Sequence, residues 1–130
     1  MSKHDDIVWE IDFYEGLVVH LPDCIDVLKP LGDNYTQIGR IEEGLAIDLK
    51  LVRLLPDDPT VHYNLACSLS LLDNADGAIF ALRRAVELGY REIGWMRSDP
   101  DLENLRSDPR YPAIEQSLRA ANAVPHEPHS

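Results

Sequence analysis

The chain has 130 residues, 45% of them hydrophobic and 27% charged, enough for one domain that buries roughly two-thirds of its unfolded surface without needing a metal or disulfides. Twelve Lys and Arg against 23 Asp and Glu leave a net charge of −11, which repels phosphate backbones and anionic lipid and so disfavours nucleic-acid and membrane partners. No apolar run nears the ~18 residues of a membrane span, and MSKHDDIVWEIDFYEG shows no secretory signal, so a cytoplasmic location is expected.

The first element expected is a helix over residues 8–21, where Val8, Ile11, Tyr14, Leu17, Val18 and Leu21 form one apolar face. A helical hairpin follows over residues 25–58 with Gly39 in its turn; Pro30, lacking an amide donor, predicts a kink or a delayed start in its first helix. A second hairpin covers residues 59–92. There Val61, Leu65, Ala66, Leu69 and Leu72 recur at helical spacing, the polar stretch Asp73, Asn74, Ala75 and Asp76 breaks the pattern, and Ala78, Ile79, Leu82, Ala85 and Val86 resume it. Asp57, Asp58, Pro59 and Thr60 supply a helix start and Gly89 a helix end. The small Ala66 and Ala78 allow the two helices to approach, with Tyr63, Leu65, Leu69 and Leu82 filling the space between them.

Beyond Gly89, Asp99 before Pro100 and Asp108 before Pro109 are start signals for two short helices within residues 93–119. Their Trp95, Met96, Leu102, Leu105, Tyr111, Ile114 and Leu118 are expected to cover the open face of the second hairpin. Residues 120–130, ending in the polar, proline-containing AVPHEPHS, are expected to be a frayed tail.

The two hairpins repeat with a 34-residue period and no gap: Gly32 stands opposite Ala66, Gly44 opposite Ala78, and Leu51 opposite Ala85. Pro22 opposite Pro56 brings the helix over residues 8–21 into the same phase, as the second half of an incomplete unit. A 34-residue hairpin with small residues at Gly32, Gly44, Ala66 and Ala78, bulky ones at Tyr35 and Leu69, and a proline at Pro56 resembles the tetratricopeptide repeat. Leu51, where that repeat prefers a small residue, and Tyr90, where it prefers proline, depart from the pattern. The run DPDLENLRSDPRY resembles the terminal segment of many bacterial tetratricopeptide proteins.

Spanning residues 8–119, the resemblance implies one all-α domain, a short right-handed α-α superhelix with an N-terminal half-repeat and C-terminal capping helices. It implies a non-enzymatic adaptor or scaffold that binds a protein or peptide in a groove. The groove positions are Asp26, Lys29, Asp33, Thr36 and Gln37 from the first unit and Thr60, Tyr63, Asn64, Cys67, Ser70 and Leu71 from the second. A peptide with a basic and an apolar anchor would suit such a surface. The carboxylate clamp of some tetratricopeptide co-chaperones is matched at Lys29 and Asn64, but Asp33, Gly94 and Ser98 stand where it needs other residues, and an acid there opposes a carboxylate ligand. The alternatives are a homodimer through the N-terminal helix, anchored by Trp9 and Phe13, and a small acidic secretion-type chaperone.

The remaining chemistry-bearing residues point to no reaction. His4, His20, His62, His126 and His129 form no metal-ligand spacing, Cys24 and Cys67 belong to no CxxC motif, and no nucleophile or phosphate-loop motif occurs. Glu42 with Glu43 and Asp57 with Asp58 fit a polar turn and a helix start. No cofactor, metal or catalytic residue is expected.

Overall fold

A computed structural model describes residues 2–123, and among them every element is helical. Helix α1 spans Lys3–His20, α2 Ile25–Gln37, α3 Ile41–Leu54, α4 Pro59–Leu71, α5 Ala75–Leu88, α6 Ile93–Ser98 and α7 Tyr111–Ala123, with a 3-10 helix at Pro100–Leu105 between the last two. None of the described helices is long and apolar enough to cross a membrane.

The spacing of these helices carries the period of the sequence. Helix α4 starts and ends one full period after α2, at Pro59 against Ile25 and at Leu71 against Gln37. Helix α5 stands in the same relation to α3, at Ala75 against Ile41 and at Leu88 against Leu54. The end of α1 at His20 falls one period before the end of α3, and the start of α6 at Ile93 one period after the start of α4. The turns correspond too: Gly39 and its in-phase counterpart Asp73 both take positive φ, 84° and 59°, a left-handed conformation open to Gly and tolerated by Asp.

Helix starts and stops follow local chemistry. α1 begins at Lys3, ahead of the expected Val8, because the Ser2 hydroxyl accepts the Asp5 amide at 3.2 Å and Asp5 and Asp6 lie in the positive first turn. Asp58 accepts the Thr60 and Val61 amides at the start of α4, and Asn74 accepts that of Gly77 at the start of α5. Gly89, at φ 119°, closes α5. Pro30 does not delay α2, which starts at Ile25 and passes through it; so near the start of the helix it removes only the amide that would bond back to Asp26. Asp99 does start a helical segment, accepting the Asp101 amide at 3.0 Å, but a 3-10 one, and the separate helix α6 precedes it. At the other end α7 continues through Ala123, past the boundary expected for the tail; the rest of that tail lies outside the described residues.

Packing runs in chain order, α1 on α2, α2 on α3, α3 on α4 and α4 on α5. The core is correspondingly a succession of clusters: Ile7, Ile11, Leu31 and Tyr35 between α1 and α2; Leu28, Leu51 and Val61 among α2, α3 and α4; and a larger one from α4 and α5 into the C-terminal segment. Met96, Leu102, Leu105, Tyr111, Ile114 and Leu118 are buried in that last cluster, as expected of a cover. Trp95 is the exception, 56% exposed.

Helices within a hairpin meet through their small residues. A Cβ on Gly32 would lie 2.9 Å from Ile47 Cγ2, and one on Gly44 would lie 2.9 Å from Thr36 Oγ1 and 3.6 Å from the Gly32 carbonyl oxygen. In the second hairpin Ala66 and Ala78 are fully buried at the same positions. Ile47 is β-branched and cannot swing aside cheaply, so Gly32→Leu is expected to lower stability by about 1–3 kcal/mol through overpacking. Urea unfolding would show a lower midpoint with unchanged slope; an unchanged midpoint would mean the helices do not meet there.

Candidate functional site

Residues of α2, α3, α4 and the C-terminal segment line an open cleft of about 380 Å³. Asp33, Thr36 and Gln37 contribute from α2, Asp48 from α3, Tyr63, Asn64, Cys67 and Ser68 from α4, Trp95 from α6, and Asp99 and Asp101 close the far side. Of the groove residues expected from sequence, Asp33, Thr36, Gln37, Tyr63, Asn64 and Cys67 meet here. Lys29 and Thr60 line an adjoining recess of about 140 Å³ that shares Asp33, Asp48 and Asn64. Asp26, Ser70 and Leu71 line neither: Asp26 is exposed at the start of α2, Leu71 is half-buried at the end of α4, and Ser70 is buried with its Oγ unpaired. The groove expectation fails at Ser70 because α4, flanked by α3, α5 and the 3-10 helix, has few faces left open.

Asp99 is the hinge of the site. Only 3% exposed, it accepts a hydrogen bond from the Tyr63 hydroxyl at 2.6 Å through one carboxylate oxygen and from the Asp101 amide at 3.0 Å through the other. Arg106 donates to the Asp99 and Met96 carbonyls and ties the ends of the segment together. Tyr63 stacks on Tyr90, ring centres 4.3 Å apart and planes within 7°, so Tyr90, which does not line the cleft itself, backs the ring that does. Tyr63 is itself only 4% exposed and is wall more than contact surface. Burial, with Cys67 and Asp99 nearby, pushes its phenol up, so it stays a neutral donor.

The Cys67 sulfur and one carboxylate oxygen each from Asp99 and Asp101 lie within 4.8 Å of one another, a grouping that the sequence reading missed. Burial first, then the carboxylates of Asp99 and Asp101, push the Cys67 thiol well above the ordinary range, which opposes the thiolate that a metal requires. Both Asp99 oxygens are already engaged. The trio is accounted for as the joint between α4 and the 3-10 helix.

Asp48 was also missed. The residue is 7% exposed, with Oδ2 accepting from Ser68 Oγ at 2.5 Å. A signal existed: Asp48 falls on the buried stripe of α3 between Gly44 and Leu51, and one period further on the same position holds the fully buried Leu82. Desolvation raises its pKa from 3.8 to about 6; the Ser68 hydrogen bond opposes this and the Asp33 charge adds to it. Desolvation also raises Asp33, against the pull of Lys29, and raises Asp101, helped by Asp99.

No protein-family model matches the chain. The chain is 31% identical over 103 residues to a chloroplastic protein of Arabidopsis thaliana, a match that takes in 72% of this chain and 30% of that protein. The chain therefore spans less than a third of the length of this relative.

The Asp48 shift has a thermodynamic sign. An acid that binds its proton more tightly when folded leaves stability highest below the unfolded pKa, and the stability falls as pH rises through the folded value. For Asp48 that window runs from 3.8 to about 6, and the full effect is about 3 kcal/mol. Asp48→Asn, which keeps an acceptor for Ser68, is expected to be about 2–3 kcal/mol more stable than the parent at pH 7.5, with the difference vanishing near pH 3.5. Urea unfolding at the two pH values checks this, and a difference independent of pH would sink it.

Proposed function

We propose that this chain is a tetratricopeptide-type repeat unit, a short right-handed superhelix that works by binding a protein or peptide in its concave cleft and carries out no reaction. The observation that carries the reading is the one-period offset between α2 and α4 and between α3 and α5, joined to a cleft whose rim residues are not consumed by the fold. Gln37 and Asp33 are exposed and Asn64 is half-buried, and none of the three makes a side-chain hydrogen bond to another described residue. The acids that resemble catalytic pairs have structural work instead: Asp58 caps α4 and pairs with Lys29 at 3.8 Å, and Glu43 pairs with Arg40.

Asn64→Arg places a long cation among the carboxylates of the cleft and fills it without touching the buried joint. Affinity capture from native lysate with the parent chain is expected to retain a set of proteins that Asn64→Arg loses. Identical capture by both would remove the cleft as the binding surface.

A second reading, self-association through α1, has its own observation. Ile7 and Ile11 of α1 are buried on α2, but Trp9 and Phe13 are 67% and 50% exposed and stack on each other, centres 5.8 Å apart. Asp5, Asp6, Glu10 and Asp12 lie beside them, so two copies would bring like charges together and their association should strengthen with salt. Sedimentation equilibrium at high protein concentration in ~0.05 and ~0.5 M salt tests this; the mass of one chain under both conditions rules it out.

A further inference from the structure

Four carboxylates line the cleft, Asp33 from α2, Asp48 from α3, and Asp99 and Asp101 from the C-terminal segment, and among the described residues no Lys, Arg or His lines it. Lys29 belongs to the adjoining recess and is engaged with Asp58. Asp99 is satisfied from both sides. Asp48 is not: Oδ2 has Ser68, but Oδ1 accepts from no described residue, and Asp48 forms no ion pair with one. Asp48 is 7% exposed as a residue, and its Oδ1 is not sealed from solvent, so this acceptor is open to a donor that enters the cleft. The unit next along the chain spends the same position on a leucine, so the fold does not require an acid there.

The surroundings narrow the donor. Its charge must be positive, since Asp33 and Asp101 flank the opening. Acceptors project from three separate walls, which a planar guanidinium with five donors meets better than an ammonium. Trp95, 56% exposed at the rim, offers a ring face to a cation. A cleft of about 380 Å³ accepts one long side chain.

We propose that the cleft receives an arginine side chain of the bound partner, its guanidinium donating to Asp48 Oδ1 at the floor, flanked by Asp33 and Asp101, with Trp95 against its plane. The proposal rests on the reading of the cleft as the partner-binding surface and names the chemistry that this surface selects.

The test is a titration of the isotope-labelled full chain, followed by amide and indole NMR shifts, with N-acetyl-arginine amide, its neutral isostere N-acetyl-citrulline amide, and free arginine. Saturable shifts are expected at Asn64, Ser68 and the Trp95 indole with the arginine amide and none with the citrulline amide. Asp48→Asn, which preserves shape and the Ser68 contact, should weaken binding about tenfold or more, and Asp33→Asn should weaken it less. Equal response to citrulline, shifts confined to other surfaces, or unchanged affinity in Asp48→Asn would overturn the proposal; tighter binding of free arginine than of the amide would overturn its assignment to a peptide side chain. The two readings separate cleanly. Lysate capture that is lost in Asn64→Arg but untouched in Asp48→Asn, without arginine-amide binding, ends this inference and leaves the adaptor reading standing. Arginine-amide binding with capture identical in the parent chain and Asn64→Arg removes the adaptor reading, and with it the assignment to a partner's side chain.

Discussion

The structure depends first on how closely paired helices approach. At Gly44 the backbone of α3 lies against the carbonyl of Gly32 in α2, and the second hairpin repeats the contact with Ala66 and Ala78, both fully buried. Contacts of this kind fix the depth at which one helix sits on the next, because a side chain larger than a methyl would hold them apart. They also decide which residues are left over. With the flat faces of α2 and α4 spent on α3 and α5, the remaining stripes of α2 and α4 face the same concavity, and Asp33, Thr36, Gln37 and Asn64 are found there.

The second constraint is the joint that folds the C-terminal segment back over α4. α6 starts in phase with α2 and α4 but stops at Ser98, because Asp99 turns inward to cap the 3-10 helix and take the Tyr63 hydroxyl. The break sets Asp99 and Asp101 in the lining of the cleft as its far wall. Stacking of Tyr63 on Tyr90 and the Arg106 donors to two carbonyls hold that wall in place. The same residues thus terminate the packing and shape the site.

What was legible in the sequence follows from this division. Helical periodicity, the repeat phase and the small positions are local or pairwise signals, and α2 to α5 fall where those signals place them. The first end of α1 was missed because Ser2 and the acidic first turn lie ahead of the apolar face that marked the helix. In the site, Asp33, Thr36, Gln37, Tyr63, Asn64 and Cys67 come together because they share one helical stripe in each unit. Ser70 lay on the stripe but is buried, since the returning 3-10 helix packs onto α4, and no periodicity reports a return of the chain. Asp99 and Asp101 were hidden for the same reason: their start-signal role was readable, but not the long return that brings Asp99 to Tyr63. Trp95 read as cover by composition, yet it stands at the rim because Met96, its neighbour, takes the core position.

Asp48 differs from all of these, since its oddity is visible in the register itself once the two units are superposed: an acid where the partner unit holds Leu82. Fold stability alone would favour leucine at both places, since drawing a carboxylate out of water opposes folding where burying an apolar side chain favours it. A repeat architecture makes that comparison internal to one chain, with the second unit serving as the reference for the first. The two in-phase positions differ in surroundings as well as in charge: Leu82 is sealed in the core cluster of α4, α5 and the C-terminal segment, whereas Asp48 lines the cleft. The carboxylates that line this cleft give it a negative potential, which favours positive groups over negative ones.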